Sequence, residues 1–232
     1  MKKGKFIVID GIDGSGKATQ VKLLSEHLSK IGVKVKTIDF PRYQDNFFGK
    51  LIGEYLSGKY GDFTKVDPRV ASVLYAADRF ESSKQIQTWI DDGFVVLADR
   101  YVSANQIHQG GKIKSPIVRK KFLSWLDEME YEVFCIPRPD QVVYLDVPFE
   151  ISQYWLKQKA LKKKKTYLKG GTKDVVEENL RYLKDSRNSA ISLAKANKNW
   201  SRISCCKGMV CLSIEQVHEK VFEIISPILG LK

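Results

Sequence analysis

The residues best suited to chemistry stand near the amino terminus, in "GIDGSGKAT", Gly11 to Thr19. Glycines at 11, 14 and 16 let consecutive backbone N–H groups turn inward, and Lys17 brings an ammonium to the same point. A strand-like run, "KFIVID", precedes them and a helical pattern follows. In that context the stretch fits a loop that cradles a di- or triphosphate on main-chain donors at a helix N-terminus. Ile12, Asp13 and Ser15 fill the loop interior. The pattern departs from its usual form once, because Ala18 stands where a serine or threonine hydroxyl ordinarily meets magnesium. Thr19 does not replace it, since one step along a helix turns a side chain by about 100°. Magnesium keeps several waters and takes one or two carboxylates, so Asp13, in the loop, and Asp99 are the candidate metal groups.

Two further stretches end strand-like runs. "DRY", Asp99 to Tyr101, follows "FVVLA", and "FPRY", Phe40 to Tyr43, follows "VKVKTID". In a parallel sheet both ends share the edge of the phosphate loop, which places Asp99, Arg100 and Arg42 there. Either arginine can grip a phosphate through two N–H groups. Tyr75 and Arg79 lie four apart in a helical pattern and share a face, offering an aromatic plane and a donor fork to a base. A core tyrosine beside a surface arginine would give the same spacing.

The elements that must position these groups alternate. After the first strand and helix come a second strand, a short helix ending at Gly58, and a long helix from Asp67 and Pro68 to Gly93. The third strand is "FVVLAD"; Ser115 and Pro116 open another helix, and "DQVVYLDV" reads as a fourth strand covered on both faces. Pro148 starts a helix, Asp174 caps one from about Val175 to Lys198, "WSRISCC" is a fifth strand, and Ser213 caps the last helix. Strands alternating with helices predict an α/β fold with a doubly wound parallel sheet and its site at the carboxyl edge. No repeat or linker divides the 232 residues, so a single domain over 1–232 is expected.

The net charge of +12 is local: residues 157–232 hold 17 Lys+Arg against 7 Asp+Glu. It centres on residues 157–173, with eight lysines and no acidic residue. Such a field attracts phosphates, but its aromatics do not interleave as a stacking platform, which argues against nucleic acid as a partner. Cys135, Cys205, Cys206 and Cys211 form no C-x-x-C pair, which reads as free thiols in a reducing cytosol. No apolar run is long enough to span a membrane, and a soluble, cytoplasmic protein is expected.

"GIDGSGKATQ", "FPRY", "LYAADRFE" and "DRYVSANQIHQGG", in that order and spacing, resemble the thymidylate kinase family, densely over residues 5 to 113 and more thinly beyond. The resemblance implies a P-loop kinase fold with five parallel strands, flanking helices and a lysine-rich lid at about 157–173. It implies transfer of phosphate from ATP to dTMP with Mg2+, in a homodimer packed through helices, with the helix from Asp67 as candidate. Gly11, Ile12, Asp13, Gly14, Ser15, Gly16, Lys17, Ala18 and Thr19 would hold ATP. Asp13, Phe40, Arg42, Tyr75, Arg79, Arg100, Asn105 and His108 would hold dTMP, with Tyr75 stacked on thymine and His108 under the sugar. Lys17, Arg42, Asp99 and Arg100 would be the catalytic set. No arginine occurs between Arg138 and Arg181, so Lys163, Lys164, Lys165 and Lys169 must supply the lid's charge.

An acceptor phosphate is already ionised near neutral pH, so catalysis needs alignment and charge neutralisation more than a base. The rival on a similar fold is a deoxynucleoside kinase, which starts from a sugar hydroxyl and wants a carboxylate base near strand one or strand three. A nucleic-acid-binding phosphate-loop protein is a more distant alternative.

Overall fold

The computed structural model describes residues 3–164, 180–208 and 210–231. Five strands form one parallel sheet in the order β2-β3-β1-β4-β5: β1 (Lys5–Gly11), β2 (Val35–Asp39), β3 (Val95–Asp99), β4 (Gln141–Asp146) and β5 (Trp200–Ser204). Because β1, β3 and β4 are apolar on both faces, they need cover on both sides. One side packs Ile7, Ile9, Leu97, Val143 and Leu145 against α1 (Lys17–Lys30) and α8 (Ile214–Leu229). The other packs Phe6, Val8, Val96, Val142 and Tyr144 against α3 (Pro68–Asp91), α4 (Val102–Lys112) and α7 (Leu180–Ala196). Odd and even residues of β1 thus feed different cores, the period-two pattern of a strand.

The helix caps follow the sequence. Asp67 accepts from the Arg69 N–H at 2.8 Å, with Pro68 opening α3, and Ser213 closes a capping box with Gln216. Further helices are α2 (Phe47–Leu56), α5 (Pro116–Asp127), which continues into a π-helical turn at Glu128–Val133, and α6 (Phe149–Lys164). The helix expected from Val175 is described from Leu180; its proposed cap, Asp174, lies outside the described residues. Of the lid lysines, Lys163 and Lys164 fall in the last turn of α6, and Lys165 and Lys169 lie outside the described residues.

Two features differ from expectation. Helix α4 shows little apolar periodicity, because Ser103, Asn105 and Gln109 share its buried side with only Val102 and Ile107 as core side chains. The cysteines are not four free thiols: beyond β5, β6 (Cys206–Lys207) and β7 (Val210–Cys211) pair antiparallel, and Cys206 is bonded to Cys211. A reversal at Gly208, with φ +60°, sets those two residues opposite each other, and Cys135 and Cys205 remain free.

Candidate active site

The phosphate loop leaves β1 at the centre of the sheet. Gly14 and Gly16 have φ +81° and +90°, which only glycine adopts without cost. A side chain at Gly14 would also meet Leu156 and the Ser152 carbonyl of α6 at 2.8 Å. Lys17 is 6% exposed, and its ammonium donates to the carbonyls of Gly11 at 2.9 Å and Ile12 at 3.1 Å, with Asp13 Oδ1 at 3.9 Å. Ser15 Oγ is buried without a hydrogen-bond partner among the described residues. A phosphate oxygen fits such a donor. Ala18 and Thr19 are exposed and face a groove between α1 and α8.

Beside the loop lies a cavity of about 290 Å³, whose wall brings together Asp13, Tyr75, Arg79, Arg100, Asn105 and His108, with Phe40 at its edge. These residues come from four separate stretches of chain. Arg100 reaches Asp13 through an ion pair, with its own backbone at φ +67° where β3 turns into α4. A non-glycine residue in that region carries a cost, and such residues concentrate at functional sites.

Arg42 is the exception. It is not part of the cavity wall; its guanidinium donates to Asp45 at 2.6 Å, while Nε is buried without a partner among the described residues. Its backbone is fixed from below. The Arg42 N–H donates to the Asp78 carboxylate at 3.1 Å, Asn46 Nδ2 donates to the same carboxylate at 2.9 Å, and Gly49 lets α2 approach the Arg42 carbonyl.

Arg79 and Asn105 prove to be joined. Arg79 is 2% exposed and forms a two-pronged pair with Glu130, which is 0% exposed; Nε donates at 2.9 Å and Nη2 to the other carboxylate oxygen. Arg79 Nη1 donates to the Tyr101 carbonyl at 3.3 Å. Asn105 Nδ2 donates to Glu130 at 3.0 Å and to the Ser72 carbonyl at 3.1 Å. The helix-surface alternative for Arg79 is therefore excluded.

The two proposed metal carboxylates diverge. Asp13 faces the cavity, whereas Asp99 faces a depression beside α1 together with Ala18 and Asp39. Among the described residues, no group of three or more His, Cys, Asp or Glu side chains could hold a metal. Burial pushes the Asp99 carboxyl up to about 6 against the pull of Lys17, with Asp10 and Asp39 adding to the rise. Its Oδ1 is buried without a hydrogen-bond partner among the described residues, and an oxygen of that kind fits a hydrated magnesium ion.

His108 accepts or donates to Ser186 Oγ at 3.2 Å and stacks on Tyr182 of α7. Desolvation, followed by the Arg100, Lys17 and Lys112 charges, pushes its pKa down to about 3. The unfolded chain takes up the proton near pH 6.5 and the folded chain does not, so stability falls as pH drops below that value, by about 1.4 kcal/mol per unit for one proton. Urea unfolding of wild type and His108→Gln from pH 7 to pH 5 is expected to show the steeper loss in wild type. Parallel curves would count against a desolvated neutral imidazole.

Three residues escaped the sequence reading. Glu130 carried a signal, because it falls four residues after Leu126 on the stripe that buries Phe122 and Met129. Asp10 and Ser103 carried none: Ser103 Oγ, from α4, donates to the fully buried Asp10 at Oδ2, and the Gly11 N–H donates to Oδ1 at 2.7 Å at the end of β1.

Residues 9–221 match the sequence model of the thymidylate kinase family. The chain is similar to a probable thymidylate kinase of Pyrococcus abyssi, 31% identical over 99% of this chain and all of that one. It is also similar to the thymidylate kinase of Mycobacterium tuberculosis, 32% identical over 63% of this chain and 68% of the other. A solved structure of thymidylate kinase from Candida albicans has the same fold, with a TM-score of 0.70 at 24% identity over 98% of this chain and 93% of that one. The loop, the sheet order and these matches agree, and the chain belongs to the thymidylate kinase family.

Proposed function

We propose that the protein transfers the γ-phosphoryl group of ATP to the 5′-phosphate of dTMP, giving ADP and dTDP, as one domain over residues 1–232 working in the cytoplasm. The observation that carries this is the cavity against the phosphate loop, which gathers Asp13, Arg100, Tyr75, Arg79, Asn105 and His108 into one wall. An acceptor phosphate oxygen attacks the γ-phosphorus as the bond to the β-phosphate oxygen breaks. Lys17 and the loop N–H groups hold the donor phosphates, Arg100 holds the acceptor phosphate, and Arg42 joins it on leaving Asp45. Asp13 orients Arg100. The lid lysines at 163, 164, 165 and 169 are our candidates for the remaining positive charge. Asp99, through water, and Asp13, from the cavity side, would hold magnesium, which when bound with ATP would supply neutralisation of the donor phosphates' charge.

The buried state of Asp10 favours this reading over the deoxynucleoside kinase. A base for a sugar hydroxyl would stand near the end of strand one or strand three; there Asp10 is 0% exposed with both oxygens engaged, Asp13 is paired to Arg100, and Asp99 faces the depression beside α1 and not the cavity. ADP release measured with ATP and Mg2+ across dTMP, dUMP, dCMP, dGMP and thymidine tests the proposal. Turnover with dTMP is expected, and activity on thymidine alone would overturn it.

Because Asp99 and water can supply the metal contact, Ala18→Thr is expected to change the Mg2+ concentration for half-maximal rate by less than about threefold. A rate gain of several orders of magnitude would show that the loop lacks a working metal contact without the hydroxyl.

Helix α3 also supports a homodimer. Val70, Val73 and Phe80 line one face of it and are 56%, 41% and 52% exposed. A second copy of α3 would cover this stripe. Light scattering is expected to give twice the chain mass for wild type and the single mass for Phe80→Glu; a monomeric wild type would end the idea.

A further inference from the structure

Glu130 is not itself part of the cavity wall, yet it holds from behind both wall residues that would read the acceptor base. We infer that Glu130 is a positioning residue that fixes the hydrogen-bond polarity of the base pocket, and thereby selects thymine over cytosine. The inference rests on the dTMP reading above.

The argument turns on what a carboxylate can do. Ionised Glu130 only accepts, and so does the Ser72 carbonyl. Asn105 meets both with one end of its amide, at 3.0 and 3.1 Å, so that end is the NH2. What Asn105 has left for a ligand is its carbonyl oxygen, an acceptor. Arg79 spends Nε and one N–H of Nη2 on Glu130, and one N–H of Nη1 on the Tyr101 carbonyl. One N–H on each terminal nitrogen remains, and these are donors. The wall therefore offers donors from Arg79 beside an acceptor from Asn105, both at the cavity.

Thymine presents the complement, a carbonyl oxygen at O4 next to an N3–H. Cytosine presents the reverse, an amino group at position 4 next to a bare N3. With cytosine, donor would face donor and acceptor would face acceptor, and the buried groups of the wall would stay unpaired. Uracil carries the same edge as thymine, so Glu130 does not separate those two. The pair is also costly to build, since Arg79 and Glu130 are both buried charges; a merely structural contact could be made apolar at similar volume.

Glu130→Gln keeps the shape and gives the position a donor. The Ser72 carbonyl still draws the Asn105 NH2 at 3.1 Å, so the new donor opposes that bond and removes the two-acceptor hold that fixes the amide's orientation toward the pocket. The expected result is a fall of about tenfold or more in the ratio of kcat/KM for dTMP over dCMP, with KM for dTMP raised and kcat changed less. Glu130→Asp, still acceptor-only, is expected to keep the ratio close to wild type. An unchanged ratio in Glu130→Gln would overturn the inference.

Glu130→Gln leaves Arg79 with half its pairing, so a test on wild type stands beside it. N3-methyl-dTMP lacks the N3–H and is expected to compete with dTMP at least about tenfold more weakly than dUMP does. Equal competition would show that Asn105 offers no acceptor and would overturn the inference even if the variant does not fold. The two readings fail separately: wild type that does not turn over dTMP removes the proposed function, whereas wild type that does, with an unaltered ratio in Glu130→Gln, removes this inference alone.

Discussion

Lys17→Ala is expected to lower kcat by about a thousandfold or more while leaving the melting temperature nearly unchanged. The ammonium is held at 2.9 and 3.1 Å from two loop carbonyls, and little of it is open to solvent. Its position is therefore set before any nucleotide arrives, and no reorganisation is needed as charge moves onto the bridging oxygen. The loop itself stands on Gly14 and Gly16 in conformations that do not depend on Lys17. Lys17→Arg is not expected to rescue, because a planar fork does not fit where a compact charge bridges two carbonyls. Steady-state kinetics with thermal unfolding decide the matter, and a kcat within tenfold of wild type would remove Lys17 from the catalytic set.

That residue was legible in the sequence because glycine spacing states a backbone requirement directly. The sheet was legible for a similar reason, since unbroken apolar runs such as "FVVLA" can only be strands covered on both faces or buried helix, and their length decides. Helix α4 was not, because most of the side chains it buries beside Val102 and Ile107 are polar: Ser103, Asn105 and Gln109 serve the cavity and Asp10, and a search for apolar periodicity passes over them. The partner of Arg79 was hidden by distance along the chain, as 51 residues separate it from Glu130. Arg42 shows a different limit. The sequence places it at the right edge of the sheet, but whether its guanidinium faces the cavity or Asp45 depends on how far the carboxylate three residues on holds it. The Cys206–Cys211 bond depends on a reversal at Gly208 that also aligns β6 with β7, and spacing alone does not announce it.

Arg100→Ala is expected to reduce kcat/KM for dTMP by about a thousandfold, with a much smaller change in the KM for ATP. Arg100 is the cation we assign to the acceptor phosphate; it lines the cavity, is paired to Asp13 and is 24% exposed at its side chain. Its backbone allows the functional loss to be separated from a structural one. At φ +67° any residue with a Cβ carries about 1–2 kcal/mol of unfavourable conformational energy, and glycine does not. Arg100→Ala keeps that cost and Arg100→Gly removes it, so the glycine variant is expected to be the more stable of the two while being equally inactive on dTMP. A stability-driven loss would instead be relieved in the glycine variant. Arg100→Lys keeps the charge without the fork and is expected to fall between. If Arg100→Gly bound dTMP as wild type does, the acceptor phosphate would have to be held by Arg42 after release from Asp45, and Arg42→Ala would then carry the large effect assigned here to Arg100.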